Sequence, residues 1–137
     1  MNATIIALIG YIGWTLVLLV WLATFRTLSV FNQSHPSLRF APDGSDVSSF
    51  GYRLTRAFMN CIESFAFIGG LLLLAIATDS MAITNGLAFV LLGARIGQSI
   101  CHLISSSALF IQIRFVFFLI QSIICMYWTY TLLMRFI

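Results

Sequence analysis

The sequence contains no lysine, only four acidic residues and two prolines, and charged residues make up 8% of its 137 positions. A soluble domain carries about 25% charged residues, so this scarcity excludes an ordinary water-exposed surface. Pro36 and Pro42 both fall in one polar segment, which leaves the remainder of the chain without its strongest helix breaker. Metal-ligand spacing is missing as well, so no metal is expected. The three cysteines, Cys61, Cys101 and Cys125, sit inside apolar runs away from turn-like segments. That placement argues against a disulfide framework and for buried thiols packing as small hydrophobes. Seven arginines give a net charge of +3, yet they lie at the ends of apolar runs or inside them. A nucleic-acid binder would cluster them on one solvated face, so nucleic acid is not a partner.

What the chain does contain is hydrocarbon: 61% of its residues are hydrophobic, and its mean hydropathy is +1.03. Apolar runs near 3–25, 53–78, 82–104 and 110–134 each reach the ~20 residues that span a bilayer. They predict an all-α integral membrane domain over 1–137, a bundle of four transmembrane helices. The first run has no basic residue before it and exceeds the ~7–15 residues of a signal h-region, so it is expected to be retained as a span. Segment 26–52 holds both prolines and clusters of Ser, Asp and Gly, which marks a loop. Arg26, Arg39, Arg53 and Arg114 flank the first and third connections, while the second has no arginine. The positive-inside rule then places those two loops in the cytoplasm and both termini outside. Trp128, Tyr127 and Tyr130 suit either an interfacial aromatic belt or plain packing. Gly93 and Gly97 form a GxxxG spacing that permits close helix approach.

Ionisable groups inside a membrane are costly and mark a site or an ion pair. The second span carries Arg53, Arg56, Asn60 and Glu63 within an arc of roughly 80°. The third carries Arg95, Gln98, Ser99 and His102 within roughly 100°. Folding the two spans about the turn near residue 79 puts residues at one depth when their numbers add to about 158. Glu63 is then level with Arg95, Asn60 with Gln98, and Arg56 with His102. A Glu63–Arg95 pair is the bland expectation, helix glue that requires no ligand. It leaves a surplus, because Arg53, Arg56 and Arg114 have no carboxylate to match them. Unpaired guanidinium groups facing a shared cleft suit an anionic ligand near the cytoplasmic interface, with room for an apolar co-substrate in the membrane.

The string R-x-x-R-A-x-x-x-N-C-x-E-x-F-x-F, here Arg53, Arg56, Ala57, Asn60, Cys61, Glu63, Phe65 and Phe67, resembles the second-helix motif of the MAPEG family. These are the membrane-associated proteins of eicosanoid and glutathione metabolism. Ala94–Ile96 also looks like the family pattern, and the resemblance runs over essentially the whole chain. It implies a homotrimer with glutathione bound in a cleft between subunits, held by Arg53, Arg56, Asn60, Glu63 and Arg95. Gln98 and His102 stand at third-helix positions where the family often shows aromatic or His residues and Tyr. His102 would donate a hydrogen bond in place of that Tyr. Arg114, opening the fourth span, matches by position the arginine that stabilises the thiolate in catalytic members. The implied activity is glutathione transferase or peroxidase chemistry on lipophilic electrophiles or hydroperoxides. Ser64 and Ala66 depart from the Tyr and Pro of many members. The alternative is therefore a non-catalytic lipid-binding or structural protein of the same family. A bacterial inner membrane is expected in preference to the endoplasmic reticulum, with membrane lipid as the surrounding partner.

Overall fold

A computed structural model of the chain describes residues 2–31, 49–105 and 107–137. Four helices account for nearly all of them: α1 (Ala3–Phe31), α2 (Ser49–Ala77), α3 (Met81–Ile104) and α4 (Ala108–Phe136). Each is long and apolar enough to cross a membrane, at roughly 36–43 Å against a hydrocarbon core of ~30 Å. The result is an integral, multi-pass membrane architecture.

α1 continues past its expected end at residue 25, through Arg26 to Phe31, and α2 begins at Ser49 rather than 53. The stretch RTLSVF contains no proline or glycine to stop the helix. Its hydroxyls turn back onto the helix itself: Thr27 Oγ1 donates to the Ala23 carbonyl at 2.8 Å and Ser29 Oγ to that of Phe25 at 2.9 Å. The first connection is thereby shortened to 32–48; Arg39 and both prolines lie outside the described residues.

The α2–α3 turn is built from main-chain bonds. Ser80 N donates to the Ala75 carbonyl at 2.7 Å and Asp79 N to that of Ile76 at 3.3 Å. This pair satisfies two of the carbonyls that a helix C-terminus leaves orphaned. It requires a left-handed residue at Asp79, whose φ is 55°. Asp79→Gly is expected to hold or raise stability, whereas Asp79→Val should lose about 1–2 kcal/mol, because aspartate tolerates the left-handed region and a β-branched side chain does not. Unfolding in detergent measures both, and a valine variant as stable as wild type would contradict the reading.

α3 is the central helix. It packs against all three others, α4 leans chiefly on it with a small contact to α2, and the backbones of α1 and α4 do not approach each other. Between helices the core holds Trp128, Tyr11, Leu18, Leu54, Ile68 and Leu91, each no more than 1% exposed. In lipid this packing works by van der Waals contact and close backbone approach, since lipid tails are as apolar as leucine. Gly97 provides one close approach, because a β-carbon there would come within 2.9 Å of the Phe117 ring on α4. Gly93 faces open space, so only half of the GxxxG spacing is used inside the bundle. At the opposite end from Arg53, Arg56 and Arg114, Asn85 of α3 caps α1: its Oδ1 accepts from Thr4 N at 2.9 Å and Thr4 Oγ1 at 2.6 Å. Trp128 is wholly buried, while Tyr127 and Tyr130 are 53% and 64% exposed. Packing therefore claims the tryptophan and leaves the tyrosines outside. All three cysteines are free and buried, as their apolar settings predict.

Candidate functional site

The polar stripe of α2 divides along its length into an inner and an outer edge. Arg53 and Asn60 are half-buried, whereas Arg56 and Glu63 are exposed. About 60° of helix rotation separates Asn60 from Glu63, and that rotation decides which of the two meets α3. Glu63 consequently makes no pair with Arg95. Arg95 is 1% exposed and donates instead to neutral acceptors: Nη1 to the Asn60 main-chain oxygen at 3.3 Å, and Nη2 to Asn60 Oδ1 and Gln98 Oε1. The expected depth is nevertheless right. Asn60 with Arg95, Cys61 with Ser99 (3.3 Å) and Arg53 with Leu103 (3.0 Å) all lie within one helical turn of the predicted register.

Arg95 sits in a buried network that joins all four helices. Gln121 of α4 donates to Gln98 Oε1 at 2.7 Å, Ser99 Oγ to the Arg95 carbonyl at 3.1 Å, and Tyr11 of α1 to the Cys61 carbonyl at 2.5 Å. Gln98 is 4% exposed, so Arg95 and Gln98, both expected to touch a ligand, are instead enclosed between helices. Sequence reasoning passed over Tyr11 and Gln121. The signal for each was a polar side chain within an otherwise apolar run.

The remaining arginines do converge. A cavity of about 230 Å³ at the arginine-bearing end of the bundle is lined by Tyr52, Arg53, Arg56, His102, Ile111 and Arg114. Arg56 and His102, predicted to be level, thus face one space. Arg114 Nη1 lies 2.6 Å from His102 Nδ1. A guanidinium only donates, so this ring nitrogen accepts, and the ring proton of the neutral imidazole resides on Nε2. Arg53 is held from two sides. Its Nε donates to the Leu103 carbonyl, one of the last four of α3, at 3.0 Å, and its guanidinium lies 5.8 Å from the Phe50 ring centroid. A cation at a helix C-terminus also meets the negative end of the helix dipole. Arg56 has no hydrogen bond or ion pair among the described residues, and Arg114 Nε is buried without a partner.

Among the described residues, no carboxylate lines this cavity. Three guanidinium groups supply donors only, and a buried donor left unmet costs about 1–3 kcal/mol. The arrangement suits an acceptor-rich, anionic group, held bidentately as guanidinium holds carboxylate. Glu63 lies farther along the same exposed edge as Arg56, about 10.5 Å up the helix axis. Beside it, a separate apolar groove of about 240 Å³ runs between α1 and α2, lined by Ile12, Thr15, Leu16, Ile62 and Phe65. Tyr52 and Ile111 were not foreseen as lining. Tyr52 stands one turn before Arg56, a spacing that identifies it once the site's face is known.

A family model described as the MAPEG family matches residues 4–134. No curated protein and no solved structure matches the chain. The matched region takes in the arginine-lined cavity, the buried network and all four helices almost to their ends; the chain belongs to the MAPEG family.

Proposed function

We propose that the protein binds glutathione at the arginine-lined cavity and uses it as a transferase or peroxidase toward lipophilic electrophiles or hydroperoxides. The observation that carries this reading is the convergence of Arg53, Arg56 and Arg114 on one space with no carboxylate among the described lining residues. Glutathione has a glycine carboxylate at one end and a zwitterionic γ-glutamyl group at the other. The carboxylate is placed among the arginines, and the ammonium is directed to Glu63, the lone acidic residue of the spans. The separation of Arg56 from Glu63 along α2, about 10.5 Å, matches the ~10 Å reach of three extended residues.

In this reading Arg114 stabilises the thiolate, since a neighbouring cation favours the ionised sulfur. The thiol proton leaves to water, and the sulfur lone pair forms a carbon–sulfur bond as the electrophile's leaving group departs with its electrons. The apolar groove beside Glu63 takes the lipophilic substrate. The arginine-bearing end faces the cytoplasm of a bacterial inner membrane, both termini lie outside, and three copies assemble so that the exposed face of α2 meets a neighbouring subunit.

One observation favours the non-catalytic alternative. Ser64, where many members carry Tyr, is 7% exposed and offers no hydroxyl to a ligand. Calorimetry with glutathione, followed by turnover of a hydrophobic electrophile, separates the readings. Binding with turnover supports the transferase, and binding without turnover supports a non-catalytic member. If excess glutathione gives neither heat nor a raised melting temperature, the glutathione reading fails, because a native-state ligand stabilises by mass action.

A further inference from the structure

Asn60 is the residue of the α2 stripe that touches both the buried network and the exposed edge. Its Oδ1 accepts from Arg95 Nη2, and its main-chain oxygen accepts from Arg95 Nη1. A guanidinium has no acceptor atom, so the amide cannot turn over without setting its own NH2 against the donors of Arg95. Arg95 in turn cannot swing away. It is 1% exposed, and its Nη2 is also held by Gln98 Oε1, which accepts a further bond from Gln121 Nε2 at 2.7 Å. The orientation of one half-buried amide is therefore set by a chain of bonds that reaches through α3 to α4. What remains of Asn60 is its Nδ2. That atom has no partner among the described residues, and it is not among the buried polar atoms left unmet, so it keeps accessible surface.

We propose that Arg95 is a positioning residue: it touches no ligand, and by locking Oδ1 inward it makes Asn60 present a donor between Arg56 and Glu63. Resting on the glutathione reading above, this assigns Asn60 to an acceptor of the peptide, a carbonyl oxygen or the thiolate sulfur lying midway between the two charged ends. It also explains why the acceptors that Nη1 and Nη2 of this buried cation meet are amides. A carboxylate partner would neutralise Arg95 equally well but would leave no N–H to aim outward.

The test is a double-mutant cycle on glutathione affinity in the full-length, detergent-solubilised protein, with Arg95→Met, Asn60→Ala and the pair together. Each single change is expected to weaken binding roughly 5- to 10-fold, the effect of one hydrogen bond. The pair should be no worse than Asn60→Ala alone, because Arg95 acts only through that amide. Additive losses, or an Arg95→Met protein that binds like wild type, overturn the proposal while leaving glutathione binding intact. Absence of binding by the wild type overturns the glutathione reading and this inference with it. Should Arg95→Met fail to fold, Asn60→Asp decides. It keeps an oxygen for Arg95 and turns the outward atom from donor to acceptor, so wild-type affinity in Asn60→Asp would exclude the donor role and a loss of fivefold or more would sustain it.

Discussion

Arg56→Ala is expected to weaken glutathione binding by roughly 10- to 150-fold, the range of a charge-assisted hydrogen bond of about 1.5–3 kcal/mol, without shifting the unfolding midpoint. The two halves of this expectation come from one observation. Arg56 lines the cavity, yet it is exposed and has no hydrogen bond or ion pair among the described residues. Its removal deprives a ligand of a partner and the fold of nothing. Arg53→Ala should behave differently, losing affinity and stability together, because Arg53 Nε also satisfies the Leu103 carbonyl at the end of α3. Arg135→Ala supplies the control. Arg135 lies near the far end of α4 from Arg114, roughly 31 Å away along the axis, and should leave affinity unchanged. Calorimetry and a denaturant titration on the same preparations read both quantities. Equal losses from Arg56→Ala and Arg135→Ala would mean that the protein responds to net charge and not to a site.

Trp128→Ala is expected to be the most destabilising of the apolar substitutions, by about 3 kcal/mol, the lower end of the range for truncating a buried tryptophan. Trp128 is the largest of the fully buried side chains. Its loss opens a void that the surrounding helices fill only in part, and the lining atoms forfeit their dispersion contacts. The lower end applies because the alternative environment is lipid and not water, so the transfer part of the cost shrinks. Tyr130→Ala, at a position 64% exposed on the same helix, should stay within ~0.5 kcal/mol of wild type, as surface changes generally do. If the two variants unfold together, Trp128 does not have the packing role given to it.

Much of the depth arrangement was legible before folding. Counting along two helices from a short turn needs only the rise per residue, and the contacts of Asn60 with Arg95 and of Arg53 with Leu103 fall where that count puts them. Facing was not legible. Glu63 and Arg95 are level, but a rotation of about 60° leaves the carboxylate exposed and gives its place to Asn60. Periodicity defines a stripe and says nothing about which edge of it turns inward, since both edges are polar and hydropathy does not separate them. The helix ends show the same limit. Residues 26–31 read as loop because they open the longest polar segment, yet no proline or glycine stops the helix there and α1 runs on to Phe31.

By itself the sequence determined the membrane setting, the four spans, the second-helix motif and the surplus of arginine over carboxylate. These follow from composition and from position along the chain. Tertiary structure decided which arginines remain available. α3 packs against every other helix, so the polar groups it turns toward them, Thr84, Arg95, Gln98, Ser99 and His102, are all buried. Arg95 and Gln98 were drawn into a buried network, while His102, close to the last turn of α3, stays at the cavity with Arg53, Arg56 and Arg114. The physical reason is that burial depends on how many neighbours a helix has and how it is rotated against them, and both are properties of the packed bundle that no single helix carries.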